Sequence, residues 1–171
     1  METSKLNDLV EHKSDVRKNV RDDLFQVLPE GRLKILSLVG KAAESQGLLL
    51  YGVGGFVRDL LLNVLSNDCD LVVEGDAIVL GNTLESQYGG TVAAHRQFGT
   101  AKWRLPTDLA EESGLDTLDL ATARTEVYRH PSALPDVERS GIKLDLGRRD
   151  FTINTLAVCL SNDGFGDLYD Y

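Results

Sequence analysis

The sequence predicts an α+β domain in which helices pack on a mixed β-sheet, and three observations carry that expectation. Short apolar runs of strand length alternate with stretches of helical periodicity, strand-like runs then follow one another as hairpin pairs, and glycine and proline clusters punctuate the boundaries. No internal repeat or low-complexity tract competes with this pattern.

Taken in order, residues 1–28 are polar with scattered aliphatics (Leu6, Leu9, Val10, Val16, Val20, Leu24, Val27), which suits one or two weakly amphipathic helices or a connecting arm. Pro29-Glu30-Gly31 interrupts it. Leu33, Leu36, Val39 and Ala43 then mark a firmer helix ending near Gly47. Leu48–Val53 reads as a buried strand, and Phe56–Leu65 has apolar residues at helical spacing, so Gly54 and Gly55 fall where strand turns into helix. A strand carrying Asp68-Cys69-Asp70 follows, then a helix from near Asp76 to Gly89-Gly90. Thr91–Ala94 and Gly99–Leu105 form a pair of strands, the second with the only tryptophan, Trp103. Pro106–Gly114 is acidic and turn-rich and is expected to be a mobile loop. Thr117–Thr122 is a further strand. The two-proline loop HPSALPDVERSG precedes a helix expected from about Arg149 to Leu160.

The chain has 171 residues, enough for one well-buried core with or without an extension, and its 42% hydrophobic and 26% charged composition is that of a globular protein. No apolar run reaches membrane-spanning length and the polar start is not a signal peptide, so the expected compartment is the cytoplasm. Cys69 on a strand and Cys159 on a helix are expected as buried free thiols. The net charge of −9 argues against an extended nucleic-acid-binding surface. Residues 1–47 hold eight basic and eight acidic side chains, so residues 48–171, with ten basic and nineteen acidic, carry the whole excess.

The chemistry concentrates in YGVGGFVRDLLLNVLSNDCDLVV. Gly54 and Gly55 can adopt positive φ and let a ligand approach the backbone, the start of the helix favours an anion, and Arg58 lies one turn in. Strand alternation puts Asp68 and Asp70 on one face and Cys69 on the other. Paired carboxylates of this kind suit a hard divalent ion, and Mg²⁺ typically takes one or two carboxylates plus substrate phosphates. The plain alternatives are a tight turn and a solvated strand edge. Asp119, an acid in an apolar strand, either joins that carboxylate pair or faces water. Arg124 is equally suited to a phosphate or to Glu126. In LGRRDFTINTLAVCL, Arg148 and Arg149 are expected at a helix start, where a ligand phosphate explains them better than helix energetics. Asp150 and Asn154 would share one helical face, able to bond a ribose hydroxyl or a base edge. The alternative there is an Asp150 N-cap with two solvated arginines.

Six ordered blocks, VGGFVRDLLL, DCDLVVEGD, FGTAKW, LDLATARTEVY, ALPDVE and DLGRRDFTINTLA, closely resemble the catalytic head of the class II tRNA nucleotidyltransferase and bacterial poly(A) polymerase family, over Leu48–Tyr171. The resemblance implies a nucleotidyltransferase fold of the polymerase-β type with a mixed sheet of about five strands. It further implies a head domain at residues 48–171, a helical arm or linker at residues 1–47, and helical neck, body and tail domains after the head. VVEGD is most similar to long bacterial members in which DHH phosphoesterase and CBS domains come first.

By the same resemblance the activity is template-independent transfer of AMP or CMP from ATP or CTP to a tRNA 3′-hydroxyl, with release of pyrophosphate and two-metal catalysis by Mg²⁺. Asp68, Asp70 and Asp119 would be catalytic and metal-holding. Gly54, Gly55, Arg58, Arg124, Arg148, Arg149, Asp150 and Asn154 would bind the nucleotide. Base choice and the main RNA grip would depend on segments beyond Tyr171 and on a flexible loop at Arg96–Asp116. A nucleotide-binding module without catalysis is the alternative. Ser132 and Thr155 depart from the family's usual glycine and alanine, and neither touches the metal logic.

Overall fold

The computed structural model describes residues 16–127, 136–149 and 152–171. Its centre is an eight-stranded sheet in the order β1-β10-β9-β2-β3-β6-β5-β4, with β1 at Val16–Asn19, β2 at Leu49–Val53, β3 at Asp70–Glu74, β4 at Thr91–His95, β5 at Thr100–Arg104, β6 at Thr117–Thr122, β9 at Leu156–Cys159 and β10 at Asp167–Asp170. Among these, β3 and β6 run parallel and every other neighbouring pair is antiparallel. A separate ribbon pairs β7 (Arg124–Val127) with β8 (Asp136–Arg139). The helices are α1 at Arg21–Val27, α2 at Glu30–Glu44, α3 at Gly55–Leu61, α4 at Ala77–Tyr88, α5 at Thr107–Ser113 and α6 at Ile142–Gly147.

Two apolar clusters divide the interior by sheet face. Leu50, Leu71, Val73, Ala101, Trp103, Leu118, Leu120, Val158 and Leu168 point to one side and bury α1–α5 through Leu24, Ile35, Val39, Phe56, Leu60, Leu80 and Leu84. Tyr51, Val53, Val72, Ala157, Cys159 and Tyr169 point to the other and meet Ile142 and Leu146 of α6. The period of two along each strand makes this partition, since alternate side chains leave the pleat in opposite directions. Helix α4 starts as its sequence predicts: the Asp76 carboxylate caps it, accepting from the N–H of Ile78 (2.9 Å) and Val79 (3.1 Å). Gly89 at φ 82° ends it, and its carbonyl takes the Trp103 indole N–H at 2.9 Å.

Several expectations are corrected. The mixed sheet has eight strands where the resemblance implied about five, and one comes from the arm: β1 pairs with β10 at the sheet edge. Helix α2 packs on β2, α4 and α5, and residues 20–43 supply much of the larger core. Helix α3 stops at Leu61 rather than Leu65, with Asn63 at φ 56° turning the chain out of the helix. Pro106–Gly114 is the helix α5, not a mobile loop, and within Arg96–Asp116 lie a 3-10 turn, β5 and α5. The expected helix from Arg149 to Leu160 is a 3-10 turn at Thr152–Asn154 followed by the strand β9. Leu156–Leu160 is apolar at every position because β9 is an interior strand covered on both faces, and such a run has no period of its own. The latter part of the two-proline loop is the strand β8. Both cysteines are buried and free, Cys159 on a strand rather than a helix. Asp150, Ser132 and residues 1–15 of the arm lie outside the described residues.

Candidate active site

The carboxylates come together on the open part of the second sheet face. The parallel pairing of β3 and β6 sets Asp70 opposite Asp119, and the antiparallel pairing of β6 and β5 sets Asp119 opposite Lys102. Because Leu71, Leu118 and Ala101 face the helices, Asp70, Asp119 and Lys102 face the other way, as one row across three strands. Asp68 precedes β3, yet the alternation holds: Asp68 and Asp70 are exposed while Cys69 between them is buried among core residues. The Asp70 carboxyl is pushed above the ordinary carboxylate range by desolvation first, then by the negative charges of Asp119 and Asp68. Arg149 and Lys102 act in the opposite direction. Lys102 Nζ sits 2.8 Å from Asp119 Oδ2, so this third carboxylate already has a cation, with both side chains about half exposed (49% and 50%).

The Gly54-Gly55 turn stands at the end of β2 where β9 begins. Gly54 adopts φ 62°, ψ −131°, a conformation that a Cβ would strain. A Cβ there would also lie 3.4 Å from Arg149 Nη1, and one on Gly55 would lie 3.5 Å from Arg58 Nη2. The turn is thus flanked by two guanidinium groups. The expected supply of free helix-start N–H groups is reduced, because the Gly54 N–H donates to the Leu156 carbonyl (3.3 Å) and α3 has only seven residues. Two guanidinium groups stand at the turn, each also paired with a carboxylate: Arg58 with Asp59 and Arg149 with Asp145. Arg58 folds onto Asp59, with Nε and Nη2 at 2.8 and 2.7 Å from Oδ1.

Arg148 and Arg149 do not begin a helix. They follow the last turn of α6, where the negative end of the helix dipole favours them. Asp145, 1% exposed, holds both: Arg148 Nη2 lies 2.9 Å from its Oδ1 and Arg149 Nη2 lies 3.1 Å from its Oδ2. The same carboxylate accepts the backbone N–H of Arg124 at 3.2 Å, and Arg148 Nε donates to the Arg124 carbonyl. The Nε of Arg149 is buried with no hydrogen-bond partner among the described residues, a donor left over at the edge of the turn. Arg124 reaches the Phe98 carbonyl through Nη1. Asn154 lies in the 3-10 turn before β9, next in contact to α3.

Sequence reasoning missed Asp145 and Lys102. The i,i+3 and i,i+4 spacing of Asp145 to the two arginines was a usable signal once the helix was placed before them. Lys102 becomes visible only through strand register. Among the described residues no group of three His, Cys, Asp or Glu side chains forms a ready metal cage. The donor set nevertheless fits a hard cation that also takes ligand oxygens: two exposed carboxylates flanking one residue, a mutual repulsion recorded at Asp70, and guanidinium groups beside them for an anion.

In sequence and in fold the chain is similar to known proteins. The model of the poly A polymerase head domain matches residues 50–171. An A-adding tRNA nucleotidyltransferase of Geobacter sulfurreducens is 47% identical over 155 residues, covering 91% of this chain and 17% of that protein. Among solved structures, an apo form of a CCA-adding enzyme superposes with a TM-score of 0.80 at 40% identity, over 91% of this chain and 35% of that one. A CCA-adding enzyme in complex with ATP gives 0.73 at 35% identity, over 91% and 34%. The chain therefore spans between about a sixth and about a third of the length of these relatives. The match to the head-domain model over most of its length, with the same fold in the solved relatives, makes this chain a member of the poly A polymerase head-domain family.

Proposed function

We propose that this chain is the catalytic head of a template-independent tRNA 3′-end nucleotidyltransferase that transfers AMP from ATP, releasing pyrophosphate. The observation that carries the reading is the meeting of Asp68, Asp70 and Asp119 on an uncovered stretch of sheet beside a Gly-Gly turn flanked by Arg58 and Arg149. The name of the Geobacter relative, A-adding, favours ATP over CTP. Asp68 and Asp70, with Asp119 beside them, would hold Mg²⁺. That ion supplies Lewis acidity, making a ribose 3′-hydroxyl nucleophilic near neutral pH and offsetting phosphate charge.

The chain's own residues bind and orient. Arg58, Arg148 and Arg149, with the Gly54-Gly55 turn, give the triphosphate a preorganised positive surface, and the spare Nε of Arg149 is a donor for it. Arg124, Asp150 and Asn154 complete the nucleotide site. Asp145 holds Arg148 and Arg149 in place, so little reorganisation accompanies binding. In the reaction the RNA 3′-oxygen forms a bond to the α-phosphorus, the bond to the bridging oxygen breaks, and the hydroxyl proton passes to solvent. Domains outside this chain would grip the tRNA, which accords with the net charge of −9. The working compartment would be the cytoplasm, and no helix among the described residues is long and apolar enough to cross a membrane.

The test is incorporation of labelled ATP or CTP into tRNA ending in CC, or lacking CCA, by the full-length protein. Incorporation of a single A onto the CC end is expected. Incorporation of CTP would replace A addition by CC or CCA addition, and no incorporation of either would reject the reading.

A further inference from the structure

Arg32 lies in α2, outside the residues matched by the head-domain model, and is 7% exposed. A guanidinium cannot lose its charge in a protein, so a buried one must be hydrogen-bonded. Among the described residues no carboxylate forms a salt bridge with Arg32. Its Nε donates to the Ser113 carbonyl at 3.2 Å, in the last turn of α5, and its Nη1 donates to the Ser66 carbonyl. Ser66 is itself buried (8%), and its hydroxyl accepts the backbone N–H of Asp68 at 3.3 Å. A chain of hydrogen bonds thus runs from the arm through Ser66 to the backbone of Asp68, whose side chain is the first site carboxylate. Cys69, one residue on, is 7% exposed. The approach is close all round: a Cβ on the neighbouring Gly31 would lie 2.0 Å from the Glu112 carbonyl oxygen.

This arrangement matters because Ser66–Cys69 has no regular secondary structure to hold it. Only from Asp70 onward does the β3 ladder fix the backbone. An apolar side chain of similar length could fill the space under Ser66, but it could not bond the two carbonyls. We propose that Arg32 is a positioning residue for the Asp68–Asp70 pair, clamping residues 66–69 from below so that both carboxylates are preset for a divalent cation. The residues before the family-matched head are then part of the catalytic unit rather than a linker. The inference rests on the reading of Asp68 and Asp70 as metal-holding, and the experiment keeps the two apart.

Full-length protein carrying Arg32→Met, Arg32→Lys, Lys34→Ala or Asp70→Asn is compared with wild type. Three readouts are Mn²⁺ affinity by direct titration, amide hydrogen exchange of residues 66–70, and melting temperature. Loss of a group that orients metal ligands typically weakens metal affinity by about 10–100-fold. For Arg32→Met we expect a loss in that range and faster exchange confined to residues 66–70, with Arg32→Lys intermediate and Lys34→Ala like wild type. Wild-type Mn²⁺ affinity in Arg32→Met would overturn the inference. So would faster exchange spread evenly over the whole sheet, the mark of a merely structural role. If Arg32→Met does not fold, Arg32→Lys decides: weakened affinity with local exchange supports the clamp, and wild-type values on both overturn it. Wild-type Mn²⁺ binding by Asp70→Asn would instead overturn the metal reading, while exchange at 66–70 would still report on the clamp.

Discussion

Along β3, β6 and β5 the two faces of one sheet have opposite fates. Leu71, Leu118, Leu120, Ala101 and Trp103 are at most 2% exposed beneath helices α1–α5, whereas Lys102 and Asp119, one residue along on the same strands, remain about half exposed. On that second face, among the described residues, α6 covers the part near β2, β3 and β9 through Ile142 and Leu146. The covered face is held by apolar burial that is indifferent to pH. The uncovered stretch gathers carboxylates, and the Asp70 carboxyl is raised there by desolvation first and then by the charges of Asp119 and Asp68. With the proposed site on the open face, stability and chemistry are separated by a single residue step along each strand, and substitutions on the two faces should be separable by assay.

The largest expected effect is on the open face. Asp70→Ala in the full-length protein should lower nucleotide incorporation by at least about 10⁴-fold, ~5.5 kcal/mol in the barrier, without lowering the melting temperature. Matched loss of activity and stability would show that the two faces are not independent. On the covered face Trp103→Ala should cost about 3–5 kcal/mol in urea unfolding, leaving nucleotide affinity of the folded fraction unchanged. Asp145→Ala tests the border between the two, since it strips a buried carboxylate from two arginines that are themselves 27% and 22% exposed. A loss of about 3 kcal/mol together with weaker ATP binding is expected. Unaltered ATP affinity by calorimetry would detach Asp145 from the nucleotide site. Asp76→Ala, which removes the α4 cap and the partner of Arg139, should cost about 1 kcal/mol and leave incorporation intact.

The smallest effect is a pH dependence of fixed sign. A carboxyl whose folded-state pKa is raised is destabilised on ionisation, so its contribution to stability is greatest below the unfolded value of about 3.9 and is lost as pH rises through the folded value. Metal-free Asp70→Asn should therefore melt slightly above wild type at pH 7, the difference vanishing in acid. A lower melting point for the variant at pH 7 would contradict the raised Asp70 carboxyl, whose causes are desolvation and then the charges of Asp119 and Asp68.

Local chemistry was legible wherever a signal lay within a few residues. Asp76 and Gly89 bound α4 in the sequence as they do in the structure, and the alternation of Asp68, Cys69 and Asp70 was readable because a period of two needs no partner. The segment after Arg149 was misread because Leu156–Leu160 is apolar at every position and so shows no period, and only pairing with β2 and β10 makes it β9. Val16-Arg17-Lys18-Asn19 is three-quarters polar and carries no strand signal, and becomes β1 by adding to the free edge of β10.

The ordered blocks were enough to place the chain in its family, because they bring a Gly-Gly turn, paired aspartates and an arginine pair into one chain, and the proposed reaction class follows from them. Tertiary structure alone decided which charges meet. It placed Lys102 on Asp119 through strand register and Arg32 of the arm beneath Ser66 and Asp68. The physical reason is that such partners are separated along the chain by up to tens of residues, and their energies depend on distance and burial rather than on local sequence.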